Sequence, residues 1–325
     1  MHEVEVAIIG GGPAGSTCAW KLRQAGVDVV VLDRESFPRT KLCAGWITPK
    51  VVDDLEFDIS AYPYSFMTFE HIDAHWWRTH TEFPCVQHSI RRWEFDKYLL
   101  ERSGAPVHEH YVKHIDQENG AYIIDNKIRC RFLVGAAGTK CPVYREFFRA
   151  GNPRATLLQT VTYEHEFAYD WADGNCHLWF FGEGLPGYSW YVPKQNGHLN
   201  VGIGGMAAKI KRRGGDIKHY WRHFVAKLDD ENMVRNFAYQ PTGYSYYLRG
   251  KVDVVRNDNA FIIGDAAGLA TRDLCEGIGP AVESGLLAAD SIVNGSDYAL
   301  SDVTRYSGKG IVSKVLEQLF IGRKA

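Results

Sequence analysis

The sequence predicts an α/β protein in which a Rossmann-type nucleotide-binding domain is interleaved with a β-rich domain. Three observations support this prediction: a strand, glycine turn, helix and strand over residues 4–33, a short buried strand at 261–265, and a β-rich stretch at 155–205. The nucleotide-binding pieces alternate along the chain with the β-rich pieces. We therefore expect two interleaved domains rather than two consecutive ones.

The N-terminal unit has the spacing of a dinucleotide-binding turn. Gly10, Gly12 and Gly15 stand in G-x-G-x-x-G spacing between an apolar strand and a helix. The turn requires the first glycine, the second lets a pyrophosphate approach the backbone, and the third lets helix and strand touch. Asp33 ends the next strand, where a carboxylate can accept hydrogen bonds from ribose hydroxyls. We predict a dinucleotide site, with a purely structural turn as the alternative.

Composition narrows the function classes. The hydrophobic content of 45%, the charged content of 23% and the net charge of −2 are ordinary for a globular protein and give no footprint for nucleic acid. The seven cysteines form no Cys-x-x-Cys pair, so we expect no metal site and no disulfides, and a reduced, cytoplasmic protein.

No apolar stretch approaches the roughly 20 residues of a membrane span. The chain enters a strand at once, so no secretory signal is expected.

Hydrophobic periodicity predicts the remaining elements. A loop with a short helix is expected at 36–65, and helices are expected at 91–102, 207–237 and 277–292. Strands are expected at 66–90, 107–115 and 121–134. The predicted nucleotide-binding domain comprises 1–65, 91–150 and 245–300, the predicted substrate domain 66–90 and 151–244, and a C-terminal helix 301–325.

The C-terminal segment has the pattern of an amphipathic helix. Its apolar residues on one face are Ile311, Val312, Val315, Leu316, Leu319 and Phe320. Docking of this face on the protein core is the prediction, and peripheral contact with a membrane is the alternative.

Four later segments resemble the p-hydroxybenzoate-hydroxylase-like FAD proteins, and the resemblance extends over nearly the whole chain. They are Arg92–Asp96, Ala136–Gly138 with Val143 and Arg145, Phe261–Gly268 and Glu276–Gly279. The resemblance implies FAD as the cofactor. It also implies a glutathione-reductase-like FAD-binding Rossmann domain interleaved with a β-rich substrate domain.

Within that family the chain is most similar to the geranylgeranyl reductases. Tyr188–Lys194 resembles their Tyr-x-Trp-x-Phe-Pro-Lys motif, Leu199–Gly204 resembles the Asn-Val-Gly-x-Gly stretch that follows, and Lys41–Gly45 resembles their Lys-x-Cys-Gly-Gly loop. The chain departs from the family at Val192, which replaces Phe, and at Ala137, which replaces the acid of an Asp-Gly pair. The resemblance implies reduction of carbon–carbon double bonds in a prenyl or other apolar substrate, within isoprenoid lipid metabolism.

Together with the glycine turn, the resemblance implies a set of cofactor-binding residues. They are Gly10, Gly12, Ala14, Gly15, Asp33, Arg34, Cys43, Ala44, Arg92, Val112, Gly138, Asp265, Gly277 and Ile278. Asp265 would accept from the ribityl chain, with helix capping as the alternative. Gly277 and Ile278 would present N–H groups to the flavin O2 edge, where a helix N-terminus stabilises the negative charge of reduced flavin.

Cys43, Tyr188 and Trp190 are the candidate catalytic residues. Tyr188 and Trp190 alternate along a strand and point to one face, where they would line the path of the substrate; core packing is the alternative. Cys43 would face the isoalloxazine, and an inert buried thiol is its alternative. An unactivated alkene must be held close and in line, so we expect an apolar, aromatic tunnel. The proton donor stays open between Tyr188, Cys43 and water.

The electron donor stays open between NAD(P)H and a ferredoxin-like protein. Ala137 stands where the family carries an acid that it associates with FAD and nicotinamide use, and Gly202–Ala207 mimics a second fingerprint without a following acid. We therefore expect slow direct reduction by NADPH. Two rival functions remain: a flavin-dependent monooxygenase or halogenase, which Trp190 and Pro193 also resemble, and a flavin electron carrier.

Overall fold

The computed structural model of the protein describes residues 1–76, 79–308 and 310–322. Parts of two predicted segments lie outside the described residues: 77 and 78 of the segment 66–90, and 309 and 323–325 of the segment 301–325. The helices are α1 (Pro13–Gln24), α2 (Pro49–Asp54), α3 (Arg92–Arg102), α4 (Ala207–Arg212), α5 (Ile217–Asp230), α6 (Ile278–Asn294) and α7 (Ile311–Phe320). The strands are β1 (His2–Ile9), β2 (Val29–Asp33), β3 (Trp46–Ile47), β4 (Phe66–Trp76), β5 (Thr79–Ile90), β6 (Val107–Glu109), β7 (Ile115–Glu118), β8 (Ala121–Ile124), β9 (Ile128–Gly135), β10 (Gln159–Ala168), β11 (Cys176–Phe180), β12 (Gly187–Lys194), β13 (His198–Met206), β14 (Thr242–Tyr247), β15 (Arg256–Asn257) and β16 (Ala260–Ile262).

The chain divides into two compact units. The first comprises Met1–Arg39, Phe95–Ala155 and Tyr247–Lys309, and the second comprises Thr40–Glu94, Thr156–Tyr246 and Gly310–Ala325.

The unit bounds differ from the predicted domain bounds by more than five residues at two places, and by two to five residues at 91–94, 151–155 and 245–246. Residues 40–65 lie in the second unit because β3 pairs with β5 and α2 packs against β5. Residues 301–309 lie in the first unit, where the N–H groups of Ser307 and Gly308 donate to Asp273.

The first unit is built on a mainly parallel sheet. Its described strands follow the order β15-β16-β9-β1-β2-β6, and β8 and β7 extend it from β9. The strands β16, β9, β1, β2 and β6 run parallel to one another. Residues 6–9 and 29–32 are continuous apolar runs, as expected for parallel strands that are covered on both faces.

Alternate side chains of β1 and β2 pack into two different cores. Val6 and Ile8 pack with small residues of α1 and α6, whereas Ala7 and Ile9 pack with residues of β7, β8 and β9. Small residues allow α1 and α6 to approach each other: a Cβ added to Gly285 would lie 2.6 Å from the carbonyl oxygen of Ala14. This close approach positions the N-terminal ends of both helices.

The second unit is built on a mainly antiparallel sheet. Its described strands follow the order β14-β10-β13-β12-β11-β4-β5-β3. Helix α5 covers one face, where Trp221, Phe224 and Leu228 pack with apolar residues of β13. The predicted helix at 207–237 is therefore two helices, α4 and α5, because the chain turns at Gly214 with a φ of +67°.

The opposite face of this sheet carries the residues that resemble the reductase motifs. Glu164 of β10 is paired with Gly202 of β13, and Gly202 is paired with Trp190 of β12. Directly paired residues share a face. We refer to this set as the motif face: Thr162, Glu164, Tyr188, Trp190, Asn200, Gly202 and Gly204.

The C-terminal helix α7 docks through only part of its apolar surface. Leu316 and Phe320 are buried, and the Phe320 ring lies 6.0 Å from the ring of Tyr188. The predicted single docking face is wrong for the remaining apolar residues, which are exposed: Ile311, Val312, Val315 and Leu319. In the part of the chain that the structure describes, no helix is long and apolar enough to cross a membrane.

Candidate active site

The glycine turn of the first unit is tightly packed at two of its three glycines. Gly10 has a φ of +111°, and a Cβ added to it would lie 2.5 Å from the carbonyl oxygen of Ala136. A Cβ added to Gly15 would lie 1.9 Å from the carbonyl oxygen of Gly10. A Cβ on Gly12 would meet Arg39 Nη2 at an ordinary 3.5 Å. Contacts within the protein therefore require Gly10 and Gly15 but leave Gly12 unexplained.

Asp33 supports the glycine turn from the end of β2. Its Oδ2 accepts from the Gly11 N–H at 2.8 Å, and its Oδ1 accepts from the Glu35 N–H at 3.1 Å. These bonds give the carboxylate a structural role in the turn. Each oxygen retains a lone pair for a ribose hydroxyl, and that contact stays a prediction.

Arg39 is a basic residue at the turn that the sequence analysis did not single out. Its Nη1 lies 3.6 Å from the buried Asp96 carboxylate, and its Nη2 lies beside Gly12. A guanidinium at a helix N-terminus suits a pyrophosphate. The sequence pattern that could have indicated Arg39 is a basic residue in the loop that follows β2, the strand that ends at Asp33.

A second helix N-terminus lies close to the first. A Cβ on Gly264 would lie 3.0 Å from the Cβ of Ala14 in α1 and 3.3 Å from the Cβ of Ala281 in α6. The half-buried Asp265 follows, and its Oδ1 lies 3.3 Å from the Cβ position of Gly277, which precedes α6. The predicted residues Gly12, Ala14, Asp265, Gly277 and Ile278 therefore lie in one region of the first unit.

Arg154 joins two turns of this region and was also missed by the sequence analysis. Its guanidinium donates to the carbonyl oxygens of Thr139 and Ala266 and lies 3.9 Å from the centre of the Tyr144 ring. It thereby fixes the turn that begins at Gly138 relative to the turn that holds Asp265. Its spacing in the sequence gave no signal of this role.

Other predicted cofactor residues have different surroundings. Arg34 is largely exposed and pairs with Glu35 at 2.8 Å. The Val112 side chain is buried in the first unit's core, so only its backbone could face a ligand. Gly138 has a φ of +68° at the start of a turn. Arg92 is 7% exposed at the first residue of α3, and its cofactor contact stays a prediction.

The residues of the first unit fit FAD. Gly12 is explained by a group that must approach the backbone from outside, as a pyrophosphate does. No side chain caps α1 or α6 and neither has an acid in its first turn among the described residues, so both N-termini offer N–H donors. Gly12, Ala14 and Arg39 would hold the pyrophosphate, Asp265 would accept from the ribityl hydroxyls, and Gly277 and Ile278 would donate to the flavin edge.

On the motif face, the indole of Trp190 packs against Gly202 and Gly204 of β13. A Cβ added to Gly202 would lie 2.2 Å from Trp190 Cζ2, and one added to Gly204 would lie 3.3 Å from Cζ3. The alternate glycines of β13 therefore make room for this ring. Tyr188 lies beside it, with the two ring centres 5.9 Å apart. The prediction that Tyr188 and Trp190 share a face is confirmed by the strand register.

Asn200 connects Trp190 to the loop of Cys43. Its Oδ1 accepts from Trp190 Nε1 at 2.7 Å, and its Nδ2 donates to the carbonyl oxygen of Cys43 at 3.3 Å. An indole N–H can only donate, so this bond fixes the orientation of the amide. The structure thus brings two of the three predicted catalytic residues, Cys43 and Trp190, to a common partner.

Lys194 holds the same loop through its ammonium group. The side chain is fully buried, and Nζ donates to the carbonyl oxygens of Ala44 and Ile90, the latter at 2.9 Å. Burial lowers the pKa of Lys194. A Cβ on Gly45, whose φ is +66°, would lie 2.7 Å from Nζ. These contacts explain why a glycine follows Cys43 and Ala44 in this loop.

Glu164 is the acidic member of the motif face, and the sequence analysis did not single it out. It is 2% exposed, and its Oε2 has no hydrogen-bond partner among the described residues. Burial raises the pKa of Glu164 to about 7, although a hydrogen bond from Asn200 and the charge of Lys41 oppose the shift. A polar residue alternating with Thr160 and Thr162 was its only signal in the sequence.

Fold and site together place the protein among the FAD-dependent oxidoreductases. The family model of the FAD dependent oxidoreductases matches residues 5–95, which include the glycine turn and Asp33. The family model of the geranylgeranyl reductase catalytic domain matches residues 158–244, which include the whole motif face.

Curated relatives extend the match along the chain. An uncharacterized protein of Methanosarcina barkeri is 30% identical over 90% of this chain and 75% of its own length. A menaquinone reductase of Mycobacterium tuberculosis is 28% identical over 88% of this chain and 76% of its own. A digeranylgeranylglycerophospholipid reductase of Methanosphaera stadtmanae is 27% identical over 94% of this chain and 82% of its own length. The chain belongs to the geranylgeranyl reductase family of FAD-dependent oxidoreductases, and its cofactor is FAD.

Solved structures support the same fold. A geranylgeranyl bacteriochlorophyll reductase-like protein of Thermoplasma acidophilum superposes with a TM-score of 0.73 at 20% identity, covering 98% of this chain and 83% of that chain. A flavin-dependent halogenase superposes with a TM-score of 0.69 at 21% identity, covering 90% of this chain and 58% of the halogenase chain. The predicted interleaving of a Rossmann-type domain with a β-rich domain is therefore shared with other flavoproteins.

Proposed function

We propose that the protein reduces carbon–carbon double bonds in a prenyl chain or a similar apolar substrate. The observation that carries this proposal is the Trp190 indole packed against Gly202 and Gly204 of the motif face. Trp190 is 5% exposed and is held by its neighbours, so its ring would form a rigid aromatic wall against which an apolar chain is held in one orientation. Holding the alkene is the main task of the protein, because an unactivated double bond offers little charge for polar groups to stabilise.

Names among the relatives support this substrate class. The digeranylgeranylglycerophospholipid reductase and the menaquinone reductase are reductases of lipids, and geranylgeranyl chains contain isolated double bonds. FAD supplies the hydride when it is bound and reduced. Tyr188 and Trp190 would line the path of the chain, and Asn200 would hold the indole in place through its 2.7 Å bond.

Substitution of Trp190 tests the proposed function. In the FAD-loaded protein reduced with dithionite, Trp190→Ala should lower turnover of a geranylgeranyl substrate at least 10-fold, which corresponds to about 1.4 kcal/mol of transition-state stabilisation. Its FAD content should match that of the wild type. Trp93→Ala is the matched control, because Trp93 is 46% exposed on α3. A wild-type enzyme that leaves prenyl double bonds intact while its flavin is reduced would overturn the proposal.

We propose that direct reduction by NADPH or NADH is slow and that a ferredoxin-like protein is the better electron donor. Ala137 is exposed and carries no group that can accept a hydrogen bond from a nicotinamide ribose. Anaerobic stopped-flow mixing tests this proposal. Flavin bleaching by either nucleotide at about 10 per second, a typical turnover rate, would overturn it.

The rival functions make different products. A monooxygenase or halogenase would incorporate oxygen or halide, and its favouring observation is the Trp190 and Pro193 pair on β12. An electron carrier would form no product from a prenyl substrate. Oxygen consumption stoichiometric with product would favour the first rival over the reductase.

A further inference from the structure

We propose that the carboxyl group of Glu164 supplies the proton that the reduction of the double bond consumes. This inference rests on the proposed function and deepens it by assigning the acid of the reaction. Tyr188, Cys43 and water were the sequence-based candidates for this role.

Position is the first argument. Glu164 and Trp190 flank Gly202 from two neighbouring strands: the Cβ position of Gly202 lies 2.7 Å from Glu164 Cβ and 2.2 Å from Trp190 Cζ2. A chain that lies against the indole therefore lies next to the Glu164 side chain. Neither side chain can turn to the other face of the sheet, because the register holds both on the motif face.

The hydrogen-bond inventory is the second argument. The Asn200 amide, oriented by Trp190, donates through Nδ2 to the Cys43 carbonyl and to the Glu164 carboxyl. The second carboxyl oxygen, Oε2, is buried and has no partner among the described residues. A buried carboxyl with one oxygen unpaired is less costly as the neutral acid than as the anion. Oε2 is thus the atom that carries the proton.

The charged surroundings of Glu164 allow it to give up that proton near neutral pH. Lys41 and Lys194 favour the carboxylate and Glu166 disfavours it, while burial raises the pKa of Glu164 to about 7. Lys41 lies over the Tyr244 ring at 3.3 Å, and Glu166 pairs with Arg91 at 2.9 Å. An acid whose pKa is near the working pH is well matched to general-acid catalysis.

The step balances with reduced FAD as the reductant. The π bond of the alkene breaks, and two C–H bonds form. One carbon receives a hydride, which brings the electron pair, and the other receives the proton from Glu164 Oε2. The carboxylate that remains is reprotonated from solvent before the next turnover. Because the acid form is required, activity should fall as the pH rises through the pKa of Glu164.

Glu164→Gln tests the proposal, because the amide retains an acceptor for Asn200 but cannot supply a proton. In the FAD-loaded enzyme, kcat should fall at least about 100-fold with unchanged FAD content. The wild-type rate should fall as the pH rises through 7, whereas the residual rate of Glu164→Gln should not change in this range. Glu166→Gln is the matched control on the same strand and face: it should keep the maximal rate and move the pH midpoint slightly downward, because a repelling charge is removed.

An infrared pH titration of the FAD-loaded protein without substrate gives a readout independent of turnover. Two buried carboxyls, Glu164 and Glu276, have pKa values that burial raises to about 7, and both should contribute to the protonated-carboxyl signal that the wild type loses near pH 7. The Glu164 part of that signal should be absent from Glu164→Gln, whereas the Glu276 part should remain.

The outcomes separate the two proposals. Either of two results would overturn the assignment of the acid alone. One is a Glu164 carboxyl that is already ionised at pH 5. The other is a Glu164→Gln enzyme that reduces the prenyl substrate with the kcat and pH profile of the wild type. Absence of any prenyl reduction by the wild type would overturn the proposed function and the acid with it. If Glu164→Gln does not fold, the same titration of Glu276→Gln decides the first of these outcomes, because the carboxyl signal that remains near pH 7 then belongs to Glu164.

Discussion

The two candidate regions are built from different chemical groups. The glycine turn and the start of α6 in the first unit present backbone N–H groups. Asp33 supports the glycine turn, and Arg154 supports the turn that holds Asp265. The motif face of the second unit presents side chains, with Asn200 linked to Trp190. A cofactor used in many reactions can thus be bound by backbone geometry, whereas the particular reaction depends on side chains.

The first of these regions is the easier one to predict from the sequence. Gly10, Gly12 and Gly15 lie within one turn, so their spacing alone indicates close packing and an approaching pyrophosphate. The packing requirement at Gly10 and Gly15 is confirmed by the structure. We expect substitutions in this region to separate packing from cofactor binding.

The largest expected effect is that of Gly15→Ala. Its new Cβ would lie 1.9 Å from the carbonyl oxygen of Gly10, which is backbone and cannot move aside cheaply. We expect a loss of about 3 kcal/mol or more in the free energy of unfolding, because overpacking of this kind forces backbone shifts. Urea denaturation of the FAD-free protein measures it.

Gly12→Ala is the matched control, because its Cβ meets only an ordinary contact with Arg39. The variant should retain wild-type stability without FAD and bind FAD at least about 10-fold more weakly. Equal loss of stability in both variants would contradict the division between packing and cofactor binding.

The pH dependence of stability probes the motif face. The pKa of Glu164 is raised from 4.5 to about 7 in the folded protein, so folding favours the protonated form. Its contribution to stability is complete below pH 4.5 and is lost as the pH rises through 7. At pH 8 the loss amounts to at most about 3 kcal/mol.

Glu164→Gln should therefore gain stability relative to the wild type between pH 5 and pH 8. Denaturation at both pH values measures the change. Glu166→Gln should show a much smaller change, because Glu166 is only partly buried and is paired with Arg91. A difference between Glu164→Gln and the wild type that does not vary with pH would show that Glu164 does not titrate in this range.

The smallest expected effects distinguish the two glycines beneath Trp190. Gly202→Ala would place a Cβ 2.2 Å from the indole, whereas Gly204→Ala would place one at 3.3 Å. The first should displace the ring and lower turnover of a prenyl substrate about 10-fold, an energy within the usual cost of overpacking. The second should change it about twofold, and FAD content should stay constant in both. Equal rates for the two variants would argue against the indole as the substrate surface.

The motif face was only partly predictable from the sequence. Tyr188 and Trp190 alternate on one strand, so their common face follows from local periodicity. The surroundings of Glu164 depend on the pairing of β10 with β13 and of β13 with β12, which no local pattern specifies. The alternation of Thr160, Thr162 and Glu164 is equally typical of a strand with one face in water. Arg39 was missed for the same reason, because Asp96 and Gly12 are distant from it in the sequence.

Identification of the product tests the central claim most directly. The FAD-loaded protein would be reduced with dithionite under anaerobic conditions in deuterium oxide and mixed with a geranylgeranyl substrate, and the product would be analysed by mass spectrometry. The proposed function predicts a product that gains two deuterium atoms for each double bond lost, because both the hydride position of reduced flavin and the carboxyl proton exchange with solvent. Recovery of unchanged substrate beside fully reduced flavin would contradict it, as would a product that forms only with oxygen present and carries oxygen or halide.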